Sequence, residues 1–132
     1  MIADKHYEAF LKDVERVIGH SDVTFSTTLH DLCVYLFQHK FMGVFAKDRL
    51  PRQIKGYAIA NLDSSDEPGS HWVAIGDNVI YDSFGRSLKG FGSRVRTEED
   101  AEQGMLESNC GQRCIAWLLV FDNFGIEEAK LI

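Results

Sequence analysis

The sequence has little of three features that would each define a class of protein. No apolar run approaches the ~20 residues of a membrane-spanning helix, so no transmembrane segment is predicted. Its three cysteines are an odd number and too few for a disulfide framework, which favours a reducing compartment. Repeats, low-complexity tracts and a proline-rich linker are also lacking. The 132 residues therefore predict one domain, residues 1–132, able to fold without disulfides or metal.

The charge balance and the opening segment exclude further classes. Fourteen basic residues against twenty acidic ones give a net charge of −6, which argues against a protein that coats nucleic acid. The first ten residues lack a basic segment followed by an apolar one and do not read as a signal peptide. Hydrophobic residues at 45% and charged residues at 26% are ordinary for a globular protein. We therefore expect a small soluble monomer, without a membrane partner, whose function lies in a site.

Hydrophobic periodicity predicts helices towards both ends of the chain and strands between them. Apolar positions at helical spacing predict a helix over residues 4–18, and a second helix begins at Thr28 as its N-cap. An almost wholly apolar stretch predicts a buried helix from near Ser108 to about Gly125. Residues 83–97, which are basic, are predicted to be mostly solvated loop and edge structure. The predicted strands are residues 56–62, 71–75 and 78–82.

The last two predicted strands form a hairpin that brings an imidazole to a carboxylate. We take Gly76-Asp77 as its two-residue loop, because glycine tolerates positive φ at the first loop position. His71 then lies directly opposite Asp82, with Cβ atoms about 4.5–5.5 Å apart. The carboxylate would orient the ring and stabilise its protonated form. A loop at Asp77-Asn78 would instead pair His71 with Phe84. A structural His–Asp bridge on an exposed sheet face is the alternative interpretation.

A cysteine stands where the buried C-terminal helix is predicted to begin. Cys110 follows Ser108-Asn109, two natural N-cap residues, so it should lie in the first helical turn. Unpaired N–H groups and the positive end of the helix dipole would stabilise a thiolate there. Gly111 would let the backbone of a peptide substrate approach closely. Cys114 and Cys33 are interpreted as buried, inert thiols.

Metal binding is the other use that these thiols suggest. Cys110, Cys114 and His71, with Cys33, have zinc-binding ligand types, but the spacing is unusual for structural zinc and no Cys-x-x-Cys pair is present. We therefore predict neither a metal nor another cofactor. Seven residues before Cys110, Gln103 has an amide that can donate one hydrogen bond to a developing oxyanion, and the Cys110 backbone N–H can donate a second.

Together these motifs follow the order His-Trp, acid, Gln-x6-Cys-Gly, which resembles the adenovirus-type maturation proteases, the adenains. More distantly it resembles the SUMO/NEDD8-specific proteases of the same superfamily. The likeness covers roughly residues 41–124. It is carried by residues 41–51, 57–62, 69–72 and 81–85, and by the stretch from residue 103 to residue 114.

The resemblance implies a cysteine protease. Cys110 would be the nucleophile, His71 the general base and acid, Asp82 the orienting carboxylate and Gln103 an oxyanion donor. Trp72 would pack beside the active site. The implied fold is α+β, with a central mixed β-sheet flanked by helices and the nucleophile at a helix start. The chain departs from adenain in its length, in its minimal hairpin between histidine and acid, and in using aspartate where adenain uses glutamate.

The resemblance also implies substrates and partners. Asn109 and Gly111, with Trp72, would form the wall of the substrate site. The substrates would be polypeptides with small residues, typically glycine, at the cleavage site, and viral structural-protein precursors are the first choice. An activating viral peptide is a further implied partner, and the acidic balance predicts weak or no binding to DNA. The expected location is the host cytoplasm or nucleus and the virion.

Two other functions remain open at this point. A ubiquitin-like-protein-specific protease would apply the same chemistry to a C-terminal Gly-Gly. A non-catalytic binding module of the same fold would have no need of the complete set of His, Asp, Gln and Cys.

Overall fold

The computed structural model describes residues 2–62, 71–83, 94–97 and 108–132. These residues form an α+β fold of four α-helices and a mixed β-sheet of five strands, which agrees with the general class predicted, α+β with a mixed sheet and helices. The helices are α1 (Ile2–Ile18), α2 (Ser26–Phe37), α3 (Cys110–Phe124) and α4 (Ile126–Lys130). The strands are β1 (Phe41–Phe45), β2 (Tyr57–Asn61), β3 (Trp72–Gly76), β4 (Val79–Tyr81) and β5 (Val95–Arg96).

The three long helices lie where the hydrophobic periodicity predicts them. The prediction of Thr28 as the N-cap of α2 is wrong, because the backbone N–H of Leu29 already donates to the carbonyl of Phe25 at 3.1 Å. That bond places the first helical turn before the predicted start, so α2 begins at Ser26. Gly125 ends α3 with a φ of 95°, a left-handed conformation that glycine adopts without strain. None of the described helices is long and apolar enough to cross a membrane.

The strands follow one another across the sheet in chain order, β1-β2-β3-β4-β5. Strands β2, β3 and β4 form an antiparallel meander, while β1 and β5 lie parallel to their neighbours at the two edges. In β3 the chain runs away from one end of the sheet, and in β4 it returns to that end. The residues just before β3 and just after β4 therefore lie at the same end.

The register of the β3–β4 hairpin differs from the predicted one. Gly76 pairs with Val79, so the loop is Asp77-Asn78 and His71 is not directly opposite Asp82. Both loop residues have positive φ, 45° and 67°, the conformation of a type I′ turn, which Asp and Asn tolerate. Their side chains also bond to the preceding loop, since Asp77 accepts from the N–H of Gly56 at 2.9 Å and Asn78 from that of Ile54 at 3.0 Å.

The sheet is buried on both faces. All four described helices contribute to the core on one face, where Tyr57, Ile59 and Tyr81 lie among buried residues of α1, α2 and α3. A smaller cluster covers the other face, and within the described residues it draws on strands and loops. Its buried members are Ile54, Ala58, Ala60, Val73, Ile75 and Ile80. Helix α3 contacts both α1 and β3, which fixes its first residue against the end of the sheet.

Candidate active site

Three of the residues selected from the sequence meet at one end of the sheet. His71 directly precedes β3, Asp82 directly follows β4, and Cys110 is the first residue of α3. All three are buried, with 4%, 5% and 8% of their surface exposed. We call Cys110, His71 and Asp82 the candidate triad.

His71 and Asp82 are in direct contact although the predicted register is wrong. Nε2 of His71 lies 2.5 Å from Oδ1 of Asp82. The observed register is shifted by two residues from the predicted one, and a shift of two leaves both side chains on the same face of the hairpin. Residues offset diagonally by two positions remain within reach when a side chain is long. The contact is therefore diagonal rather than directly across the ladder.

The thiol of Cys110 completes the set. Its sulfur is hydrogen-bonded to the ring of His71. Because Nε2 of the ring contacts Asp82, Nδ1 is the nitrogen left for the sulfur. The backbone N–H of Trp72 also donates to Sγ of Cys110, at 3.4 Å. The ring thus lies between a carboxylate and a thiol, the arrangement that activates a cysteine nucleophile.

The pKa values of the pair move in the directions that favour a thiolate and an imidazolium. Burial raises the pKa of Cys110, but hydrogen bonds from His71 and Trp72 and the ring's charge outweigh it, so the pKa lies below that of an ordinary thiol. Burial lowers the pKa of His71, but its bonds to Asp82 and Cys110 and their negative charges outweigh it, so the pKa is raised. Both shifts therefore favour the ion pair of thiolate and imidazolium relative to an ordinary cysteine and histidine.

The other two cysteines have the opposite character. Cys33 and Cys114 are fully buried, as predicted, and no described cysteine forms a disulfide. Burial raises the pKa of both thiols, which keeps them protonated and unreactive near neutral pH. Among the described residues, no group of three or more His, Cys, Asp or Glu side chains is placed to hold a metal ion.

The residues expected to form the substrate wall have more specific positions than the sequence indicated. A side chain at Gly111 would point into the protein, because a Cβ there would lie 3.0 Å from Leu29 and 3.3 Å from Thr24. Asn109 is the buried N-cap residue of α3, and its side chain bonds to other protein groups. Trp72 is half-buried beside Cys110, and its indole N–H donates to the carbonyl of Thr24 at 3.1 Å.

Of the two proposed oxyanion donors, one lies within the described residues. Gln103 lies outside the described residues, as do residues 84–93, which include the Phe-Gly of the resemblance. Cys110 is in the first turn of α3, where backbone N–H groups have no carbonyl acceptor within the helix. The N–H of Cys110 therefore has no acceptor within its own helix, and its role as an oxyanion donor stays a prediction.

The loop between α1 and α2 was not recognised from the sequence as part of this region. Gln112, fully buried in α3, donates through Nε2 to the carbonyls of His20 and Asp22 at 3.1 and 2.9 Å. Ser108 donates to Oδ1 of Asp22 at 2.6 Å. The loop is thereby bound to the start of α3. The signal was present in the sequence, because Gln112 and Arg113 are polar residues within a stretch that is otherwise apolar.

A histidine outside the candidate triad also has a partner that the sequence did not suggest. Nδ1 of His6 lies 3.1 Å from Oε2 of Glu128, and the His6 ring stacks on Phe124. This contact joins α1 to α4 and includes no residue of the candidate triad.

Comparisons of this chain with protein-family models, with curated proteins and with solved structures found no match.

Proposed function

We propose that this protein is a cysteine peptidase in which Cys110 is the nucleophile, His71 the general base and acid, and Asp82 the carboxylate that orients the ring. The observation that carries the proposal is the convergence of the three side chains: a 2.5 Å contact between His71 and Asp82, and a thiol of lowered pKa bonded to the same ring. A structural His–Asp bridge would not require a thiol in that state beside it.

The reaction would follow from this arrangement in two steps. The Cys110 thiolate attacks the scissile carbonyl carbon, and the His71 imidazolium gives its proton to the leaving amine as the peptide bond breaks. A water molecule then attacks the resulting thioester while His71 takes a proton from it, which releases the carboxylic acid and restores the ion pair. The Cys110 N–H would stabilise the oxyanion of each tetrahedral intermediate, together with Gln103, and one such donor contributes on the order of 3 kcal/mol.

The resemblance to adenain-like proteases refines the proposal. It supports the adenain-like version of the α+β fold and polypeptide substrates with glycine at the cleavage site. Viral structural-protein precursors are then the proposed substrates, with virion maturation as the role. The chain departs from adenain in its short hairpin and in the aspartate at position 82, and the SUMO proteases also use an aspartate there. Ubiquitin-like proteins are therefore the alternative substrates.

A mechanism-based probe tests the activity without knowledge of the natural substrate. A peptide vinyl sulfone with glycine at its reactive end should label Cys110 and leave Cys33 and Cys114 unlabelled, because both are fully buried and protonated. Labelling should be absent in Cys110→Ala and at least about 10²-fold slower in His71→Ala, which loses the base. Peptide mapping by mass spectrometry identifies the labelled thiol.

The same probe separates the competing functions. Labelling together with cleavage of a Gly-containing peptide library supports an endopeptidase, whereas cleavage of ubiquitin-like fusions alone indicates the ubiquitin-like-protein-specific enzyme. If the folded wild-type protein is not labelled at all, the peptidase proposal is wrong and a binding module is favoured. His39→Ala is a suitable control, since His39 is an exposed histidine in the turn before β1.

A further inference from the structure

A chain of polar side chains, buried except for the half-buried Glu15, connects the end of β4 to the start of α3 by way of α1. The hydroxyl oxygens of Tyr81 and Tyr7 lie 2.7 Å apart in a hydrogen bond. Arg113 donates from Nη1 to the Tyr7 hydroxyl at 3.0 Å and from Nε to Oδ1 of Asn109 at 3.1 Å. Asn109 in turn donates from Nδ2 to Oε2 of Glu15 at 3.3 Å. We call these five residues the buried polar network.

Stability alone gives a poor reason for a buried arginine at this position. Arg113 is 6% exposed, and the helix around it is apolar. Burying a guanidinium is unfavourable, and buried charged groups can often be replaced by apolar residues of similar volume with no loss of stability. The amide of Asn109 bonds to both the guanidinium and the carboxylate of Glu15, so each bond depends on the exact placement of its neighbours. The arrangement is therefore better explained by the geometry that it enforces.

Two members of the network adjoin the candidate triad. Tyr81 directly precedes Asp82, and Asn109 directly precedes Cys110. Tyr81 also stacks on Trp117 of α3, with ring centroids 5.4 Å apart and planes within 4°. The strand that carries the acid and the helix that carries the nucleophile are thus joined through the side chains of α1.

We propose that Arg113 is a positioning residue for the candidate triad, and that the buried polar network fixes the placement of Cys110 relative to His71 and Asp82. The inference rests on the proposed function. The bond between the sulfur and the imidazole depends on where α3 begins relative to the end of β4. A displacement of about 1 Å in a reacting group can lower a rate by about 10²-fold. In this role Arg113 acts through the network rather than on the reacting atoms.

Three variants test the network at separate points. Tyr7→Phe removes one hydroxyl and keeps the aromatic ring, over which the Arg113 guanidinium lies at 5.9 Å. Arg113→Met removes both donors, while Arg113→Lys keeps the charge and loses the planar fork that bonds to two acceptors at once. Tyr57→Phe is the matched control, because its hydroxyl donates to Asp122 at 2.8 Å at the opposite end of β2 from Asn61, the partner of Trp72.

The measurement is the rate of Cys110 alkylation by iodoacetamide as a function of pH, with Cys110 identified by peptide mapping. We expect Tyr7→Phe, Arg113→Met and Arg113→Lys each to slow alkylation at pH 6.5 by about tenfold or more. The midpoint of the profile should also move towards that of an ordinary thiol, about 8.5. Tyr57→Phe should keep the wild-type profile even where its melting temperature falls. Tyr7→Phe keeps the test decisive if Arg113→Met does not fold.

The outcomes distinguish this proposal from the proposed function. A wild-type profile that is depressed and depends on His71, yet unchanged in Tyr7→Phe and both Arg113 variants, overturns the positioning role alone. Wild-type behaviour in Arg113→Lys with a loss only in Arg113→Met overturns it too, since charge rather than geometry would then be responsible. A wild-type profile like that of an ordinary thiol and insensitive to His71→Ala would refute the network's role together with the peptidase.

Discussion

At the scale of single residues, the charge of Asp82 controls the pH range over which His71 is protonated. The ring contacts the carboxylate at 2.5 Å, and this contact helps to raise the pKa of His71 above its ordinary value. In the proposed reaction an imidazolium protonates the leaving amine, so the upper pH limit of catalysis should follow this pKa. The lower limit should follow the lowered pKa of Cys110, because the thiolate is the attacking species.

Asp82→Asn should therefore lower the pKa of His71. An amide still accepts a hydrogen bond from the ring but has no negative charge, so we expect a decrease of about one unit or more. The upper limb of the pH profile of peptide cleavage should move to lower pH by the same amount, and kcat should fall by about 10²-fold. Titration of the His71 ring by NMR measures the shift without a substrate.

A matched control for this change lies at the other end of the sheet. Asp122→Asn removes a carboxylate that accepts from Tyr57 and Lys40, so it alters charge without touching the candidate triad. It should leave the titration of His71 unchanged. An equal titration of His71 in wild type and in Asp82→Asn would show that the carboxylate does not support the protonated ring.

At the scale of elements, the hairpin shows how far sequence reasoning reaches. The residue types predict two short strands and a tight turn, and the side chains of His71 and Asp82 do meet. The register depends on the bonds that Asp77 and Asn78 make to the loop before β2, which no local pattern in the hairpin encodes. A shift of two residues preserved the face of each side chain, whereas a shift of one would have separated them.

The loop before β2, to which the Asp77-Asn78 turn is hydrogen-bonded, depends on a glycine. Gly56 has a φ of +108°, and a Cβ built there would lie 2.4 Å from the carbonyl oxygen of Lys40. Gly56 also accepts from the N–H of Asp77 at 2.8 Å, so it cannot move without disturbing the turn. Gly19 has a similar φ of +96° and has no neighbour within 4 Å of its missing Cβ.

Alanine at these two glycines should have unequal effects on the free energy of unfolding. Gly19→Ala adds only the strain of a left-handed backbone and should lower stability by about 1 kcal/mol. Gly56→Ala adds the clash with the Lys40 carbonyl and should lower stability by about 3 kcal/mol or more. Urea unfolding of both variants measures the difference. Equal losses would mean that the contact with Lys40 is relieved by a small backbone movement.

At the scale of the whole molecule, the fold class could be predicted but the edges of the sheet could not. Long amphipathic helices and a buried C-terminal helix have strong periodic signals, and these placed α1, α2 and α3. Strand β1 has only one buried residue, Phe41, and contains Gly43 at a register shift, so its sequence shows no strand alternation. Strand β5 has two residues and is formed by pairing with β4 rather than by its own sequence.

The core that joins these elements predicts how the molecule unfolds. One cluster of buried residues takes members from all four described helices and from β1 to β4, including Cys33 and Cys114. Trp117 lies fully buried at its centre, between Tyr81 and Phe121. Elements that share one core are expected to unfold together. The candidate triad, built from β3, β4 and α3, should then be lost in the same transition as the core.

Urea unfolding of Trp72→Phe, in which Trp117 is the remaining tryptophan, tests this expectation. The midpoints from Trp117 fluorescence and from far-UV circular dichroism should coincide with the midpoint at which Cys33 and Cys114 become reactive to iodoacetamide. Cys110→Ala in the same background removes the reactive thiol, so that only the two buried thiols contribute to the measured reaction with iodoacetamide. Thiol exposure at a clearly lower urea concentration would instead mean that α2 and α3 separate before the sheet unfolds, and that the site belongs to a weaker unit than the core.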